Sequence, residues 1–471
     1  MADDTATDRE WADLRRSGKL FSFWVLCLGV WLHAADSLLV ATAMPKAVAE
    51  IGGDALVSWT LTLYLLGSIL SGAGAALGAT AFGLRRAFVF AAAIYAAGCA
   101  ASGLAPDMIV MLAGRLVQGI GGGWLVALTY VAIQRLYPER HWPRLIGIMS
   151  AVWGVSAFCG PLIGGFFADN GLWRWSFWAF AIQAIALCVL VPIALPRELS
   201  ATRDAPRFPG LRLSILCLAV LLVSIAGLTG SPYRALALCA LAAIAFALFL
   251  AFDATKGAQR MFPSRVADPR GELGAGFIVN LALGSAAMSM TVYGPFLLAT
   301  LYGLSALGAG YVIALESVAW SIAAVAVAGV RPAGEIRLIR AGALMVAGAV
   351  AGLAWVMPGG PLWLIVVLAV IQGAGFGMLW GFVVRRAVAA APAGERDATS
   401  SAMPTTQQIA FALGAALCGI VANLSGFDRG ISTATAPNVA FWIFAAFVPI
   451  ALAGVVAAFR FHDEPTEPNC G

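Results

Sequence analysis

Four ionisable side chains lie well inside long apolar stretches of the chain: His33, Asp36, Arg115 and Glu316. A charged side chain at the centre of a bilayer costs about 2.5–3.5 kcal/mol on insertion scales, so such residues mark ion pathways, proton relays or counter-ions. Asp36 and Arg115 are of opposite sign. As a buried pair they could serve a carboxylate that gains and loses a proton, because a change in burial or in distance to the arginine would move the proton. The same pair could instead be permanent and fix the register of two helices. His33 precedes Asp36 by three residues and shares its helical face, which suits either a relay or a packing role. Glu316 shares a face with Trp320 and has no charged neighbour in its own stretch. These four are the proton-coupling candidates.

Around Arg115 the chain reads Arg115-Leu-Val-Gln-Gly-Ile-Gly-Gly-Gly123. Arg115, Gln118 and Gly122 fall at helical spacing on one face. The following stretch reads Gly154-Val-Ser-Ala-Phe-Cys-Gly160-Pro161-Leu-Ile-Gly164-Gly165. Small residues four apart let a second helix approach closely, so Gly119, Gly154, Gly160, Pro161, Gly164 and Gly165 are expected to form a helix-packing hinge. Gln118, Trp153, Tyr293, Trp320, Gln372 and Trp380 are candidates to line a substrate cavity, as polar anchors or flat aromatic walls. Trp and Tyr also gather at membrane interfaces, and buried amides also bond neighbouring helices.

These residues must be positioned by membrane helices. Of 471 residues, 61% are hydrophobic and 11% charged, with mean hydropathy +0.88; soluble domains carry about 25% charged residues. The net charge of +5 is better explained by basic residues kept on one side of a membrane than by nucleic-acid binding. Residues 1–19 are polar, and no cleavable signal is evident. Seven of the eight cysteines sit in apolar runs and none forms Cys-x-x-Cys, so they read as packing residues. No metal site or cofactor is expected. The glycines from 119 to 123 follow no strand and no Walker lysine is present, which excludes a nucleotide loop and ATP-driven work. No protease motif or nucleophile–base pair is found, so an enzyme is not expected.

Apolar runs of spanning length fall at 21–44, 56–80, 87–105, 108–133, 145–167, 175–195, 211–230, 235–252, 274–300, 306–330, 338–357, 361–384, 403–424 and 438–459. With the amino terminus inside, only Lys46, Arg174, Arg234 and Arg429 fall outside and Arg115 within a span; the remaining Lys and Arg of the 29 lie inside. This asymmetry puts both termini in the cytoplasm. The runs at 211–230 and 235–252, joined by Gly230-Ser-Pro-Tyr-Arg234, look like a hairpin inserted between two six-span halves. The expected division is a tail over 1–20, a six-helix bundle over 21–195, linkers with the hairpin over 196–272, a second bundle over 273–460 and a tail over 461–471. Two such halves suit a transporter with a midplane site. No obvious sequence identity joins the halves, so their repetition rests on hydropathy.

The chain resembles the major facilitator superfamily, and within it the fourteen-span drug:proton antiporter branch. The resemblance covers nearly the whole sequence. It is carried by Leu32-His-Ala-Ala-Asp36 with Ala43-Met44-Pro45, Ser58-Trp59 with Tyr64, Arg115 with Gln118-Gly119 and Gly121, the run Gly154 to Gly165, and Trp173-Arg-Trp-Ser-Phe177. Gly373-Ala-Gly-Phe-Gly377 and Thr399 to Gly414 resemble the late spans. The resemblance implies an all-α integral membrane protein of two six-helix bundles plus a two-helix hairpin, with a role for Arg115 in proton coupling. It also implies a cytoplasmic latch at Gly83, Arg85 and Arg86, where Thr80 replaces the family's aspartate. Gln408 stands where the branch often has arginine.

The resulting expectation is a monomeric inner-membrane transporter, embedded in lipid, with protons and a small, moderately apolar or aromatic molecule as its partners. Efflux by antiport is the leading reading. Import of a flat aromatic nutrient is the first alternative, and a transport-dead sensor or scaffold the second.

Overall fold

The computed structural model describes residues 19–138, 141–196, 209–255, 260–330, 332–392 and 394–462. The expected tails, apart from Lys19, Leu20, Phe461 and His462, lie outside the described residues, as does Cys470. The described residues contain helices and no strand. Thirteen helices are long and apolar enough to cross a membrane, and Gly210–Ala226 is a shorter apolar helix. An all-helical answer follows from the solvent: lipid offers no hydrogen bonds, so a spanning backbone must satisfy its own.

The described residues form two compact units, the first within 1–52 and 63–209 and the second within 53–62 and 210–471. The helices of the first unit are α1 (Lys19–Ile51), α2 (Val57–Ala73, whose first turns belong to the second unit), α3 (Ala75–Ala81), α4 (Leu84–Gly103), α5 (Met108–Leu136), α6 (Trp142–Asp169) and α7 (Trp173–Ala194). The run expected at 56–80 is therefore interrupted at Gly74. Asp107 starts α5 by accepting from the Val110 N–H at 2.9 Å, which satisfies one of the orphan donors of a helix start. Gly83 precedes α4 at φ 81°, a conformation that glycine alone adopts without a Cβ penalty. The core includes Phe23, Leu26, Phe88, Tyr95, Leu125 and Phe180.

The second unit holds α8 (Gly210–Ala226), α9 (Pro232–Ala254), α10 (Glu272–Tyr302), α11 (Ala306–Val327), α12 (Pro332–Val356), α13 (Leu362–Ala389), α14 (Arg396–Leu424), α15 (Ala436–Ala445) and α16 (Val448–Ala458). The last expected span is split at Ala446 and Phe447, because Pro449 has no N–H to donate to the carbonyl of Ala445. The inserted hairpin, α8 and α9, packs with α14 through Ala219, Val223, Ala416 and Ile420. Asn423 of α14 fastens it by donating to the Gly227 carbonyl at 3.0 Å. At the other end Arg212 donates to Asp253 at 2.5 Å, and Asp253 also accepts from the backbone N–H groups of Met261 and Phe262. Arg386 pairs with Glu272 through two nitrogens at 3.0 and 2.9 Å. Arg385 pairs with Glu335.

Candidate functional site

In the first unit α1 and α5 bring Asp36 and Arg115 into contact. Arg115 Nη1 donates to Asp36 Oδ2 at 2.8 Å, and both side chains are 0% exposed. Gln118, one turn along α5 from Arg115, donates from Nε2 to the same oxygen at 2.9 Å. The Gln118 amide is itself held: its oxygen accepts from Ser102 Oγ at 3.1 Å, and Nε2 lies 3.1 Å from Cys99 Sγ. Both donors therefore converge on one carboxylate oxygen. Oδ1 makes no hydrogen bond among the described residues.

Tyr64 of α2 joins this pair to His33. Its ring lies under the Arg115 guanidinium, 4.2 Å from the centroid, in a cation–π contact. The other partner is the His33 ring, stacked at 5.2 Å. The Tyr64 hydroxyl lies 2.9 Å from both His33 Nδ1 and the His33 carbonyl oxygen. It has one proton to give; with that proton donated to the carbonyl, Nδ1 is the donor to the hydroxyl. Trp153 of α6 meets the His33 ring edge-on at 5.8 Å. His33 thus contacts both Tyr64 and Trp153. The resemblance includes Tyr64 without a role; its place between Arg115 and His33 depends on which helix faces α5.

Close backbone approach sets these distances. A Cβ added at Gly119 would stand 2.0 Å from the Tyr64 carbonyl oxygen, and one at Gly123 would stand 2.4 Å from the Ser68 Cα. At Gly122 a Cβ would meet His33 Nδ1 at 2.7 Å. Gly160 and Gly164 of α6 likewise abut the carbonyl oxygens of Ala35 and Leu39, each at 2.4 Å. Thr42 closes that seam by donating to the Pro161 carbonyl at 2.9 Å. The glycine ridge of α6 thus packs on the α1 segment that carries Asp36. Gly154 and Gly165 lie on the same helix.

The second unit contains a related arrangement. Gln372 of α13 donates to Glu316 of α11 at 2.7 Å. Gly373 and Gly377 abut the carbonyl oxygens of Glu316 and Trp320, at 2.0 and 2.2 Å from an added Cβ. Trp320, Phe376 and Trp380 form an aromatic ladder with centroid spacings of 4.4 and 6.2 Å. Tyr293 stands elsewhere in this unit, fully buried against Phe427 at 4.9 Å and Phe296 at 6.4 Å. The candidate cavity residues therefore fall into separate groups: Gln118 and Trp153 in the first unit, Gln372, Trp320 and Trp380 together in the second, and Tyr293 in an aromatic cluster apart from them.

The two glycine ridges share a short sequence pattern. Gln118-Gly-Ile-Gly-Gly-Gly123 and Gln372-Gly-Ala-Gly-Phe-Gly377 share the pattern Gln-Gly-x-Gly-x-Gly. The match is confined to this short run, so the halves still show no extended sequence identity. Near the expected latch, Arg135 Nη2 donates to Thr80 Oγ1 at 3.4 Å. A neutral hydroxyl thus takes the place of the family's aspartate. Arg85 is half-buried and Arg86 exposed beside Gly83.

The described residues thus make a multi-pass helical membrane protein with charged and glycine-seamed helix contacts. The Major Facilitator Superfamily model matches residues 26–415, and the chain belongs to that family. It is a transporter and not an enzyme. It is 30% identical over 476 residues to a probable multidrug-efflux transporter of Mycobacterium tuberculosis, covering 98% of each chain. A transporter of the acurin A biosynthesis cluster of Aspergillus aculeatus is 36% identical over 160 residues, covering 33% of this chain and 29% of the relative. Among solved structures, a peptide transporter in complex with alafosfalin matches with TM-score 0.67 and 17% identity, covering 93% of this chain and 94% of that one. A D-xylose–proton symporter matches with TM-score 0.65 and 17% identity, covering 93% and 96%. At these identities the solved structures speak to the fold alone.

Proposed function

We propose that the chain is a proton-coupled exporter of small, moderately apolar or aromatic molecules, working by alternating access in the inner membrane with both termini cytoplasmic. The carrying observation is the wholly buried pair of Asp36 and Arg115, in which one carboxylate oxygen takes both donors. The other oxygen is left for a proton. Proton and cargo need only favour different states of one equilibrium for their movements to be linked. The efflux direction is supported by full-length similarity to a relative named as a multidrug-efflux transporter. The orientation is supported by the inward bias of Lys and Arg. Glu316, hydrogen-bonded to Gln372 beside the Trp320–Phe376–Trp380 ladder, is proposed as the second coupling carboxylate and as an anchor for flat cargo.

The test is proton flux in proteoliposomes on addition of aromatic cargoes, wild type against Asp36→Asn. Cargo-driven proton movement opposite to cargo, lost in the variant, is the expected result. Movement in the same direction would replace export with symport. Equal cargo transport by both proteins without proton movement would make the pair structural and remove the proposed coupling.

A further inference from the structure

A second site lies at the end of the first unit remote from Lys19 and Arg135. Helix α6 ends at Asp169, and Gly171 follows at φ 71°. This left-handed turn lets the Leu172 N–H return to the Phe167 carbonyl at 2.8 Å, a helix stop that glycine favours. The chain then restarts as α7 with Trp173-Arg-Trp. A cavity of about 440 Å³ opens there, lined by Glu50, Trp173, Arg174, Trp175, Trp178 and Ile182 among others. Arg174 Nη1 donates to Glu50 Oε1 at 2.5 Å, and its Nη2 donates to the Ala105 carbonyl at 2.9 Å. Trp173 Nε1 donates to Glu50 Oε2 at 2.6 Å. The guanidinium lies 4.2 Å above the Trp173 ring. Both charges are thus held in place, yet they remain 32% and 56% exposed at the cavity.

We propose that this cavity binds the headgroup of a zwitterionic phospholipid carrying a primary amine. Three observations select that chemistry. First, the fixed charges cancel, so an anionic group alone would meet Glu50 and a cationic group alone would meet Arg174. A phosphate against Arg174 and an ammonium against Glu50 satisfy both. Second, both oxygens of Glu50 keep lone pairs for N–H donors, which an ethanolamine headgroup supplies and a choline headgroup lacks. Third, the cavity opens onto an apolar lane on α7: Ile182, Ile185, Val189 and Ile193 are 57, 57, 60 and 69% exposed. That lane suits an acyl chain, and Trp175 and Trp178, which line the cavity, are of the type that favours a membrane interface. The site goes beyond the transport reading and does not depend on it.

The experiment is native mass spectrometry of the full-length protein, supplied with phosphatidylethanolamine, its N-methylated series, phosphatidylcholine and phosphatidylglycerol of identical acyl chains. Wild type is expected to retain phosphatidylethanolamine at least about tenfold over phosphatidylcholine, the scale of one hydrogen bond to a charged group. Preference should fall stepwise with each methyl. Glu50→Gln should erase the amine preference, and Arg174→Gln should weaken all phospholipids. Equal retention of the four lipids by wild type would overturn the proposal, and that comparison needs no variant to fold. An unchanged preference in folded Glu50→Gln would overturn it as well. Because retention is read without cargo or protons, failure here leaves the transport reading to its own test.

Discussion

Gln118 and Gln372 hold matching places in the two units: each opens a Gln-Gly-x-Gly-x-Gly run and donates its amide to a carboxylate on a neighbouring helix. The acceptors differ. Gln118 serves Asp36, which Arg115 already pairs, whereas Gln372 serves Glu316, and the position three before Gln372 holds Ala369 where Arg115 stands three before Gln118. The same ridge thus presents a paired carboxylate in one unit and an amide-bound one in the other.

The Asp36–Arg115 pair should show the penalty of an orphaned charge. Removing one partner of a buried pair costs about 3–5 kcal/mol, whereas replacing both with apolar groups is often neutral. Asp36→Leu and Arg115→Leu should each lower the melting temperature more than the double variant does. Thermal melting followed by tryptophan fluorescence checks this, and additive losses would contradict it.

Tyr64 has two separable roles. Tyr64→Phe keeps the ring beneath Arg115 and removes the hydroxyl shared with His33. Tyr64→Leu removes both. A buried hydroxyl and a desolvated cation–π contact are each worth about 1–2 kcal/mol. Phe should therefore be destabilised less than Leu, and Phe should retain more transport. Equal loss in the two variants would place the whole contribution in the hydroxyl.

The glycine seams predict which positions tolerate a methyl group. Gly119→Ala and Gly373→Ala would drive Cβ to 2.0 Å from a backbone oxygen, and overpacking of this kind costs about 1–3 kcal/mol or more. Gly381→Ala on α13 and Gly147→Ala on α6 meet nothing within 4 Å. Those two should match or exceed wild-type stability, since alanine is favoured over glycine in helices by about 1 kcal/mol. Expression level and melting temperature of the four variants give the comparison.

Thr80→Asp would convert the 3.4 Å hydroxyl contact with Arg135 into an ion pair. Exposed pairs contribute about 0–1 kcal/mol and weaken with salt. A small rise in melting temperature at low ionic strength, lost at high salt, is the expected outcome. A large salt-independent rise would show that this contact is desolvated.

Much of the architecture was legible in the residue order. Apolar runs announced the spans, because each segment must satisfy lipid along its own length. Intramembrane Asp36, Arg115 and Glu316 announced themselves by the free-energy cost of placing them there. The interruption at Gly74 and the split near Pro449 were less visible, since neither breaks the hydropathy of its run.

What sequence alone determined was therefore local: which segments cross, which residues are too costly to be idle, and which small residues permit close approach. Only the tertiary structure decided partners. Tyr64 sits between Arg115 and His33, Gln118 shares the oxygen that Arg115 uses, and Tyr293 is enclosed by Phe296 and Phe427. It also joined the inserted hairpin to α14. The physical reason is that hydropathy fixes a helix's depth but not its rotation or its neighbours. Those follow from glycine ridges, hydrogen bonds and packing shapes that involve residues far apart in the chain.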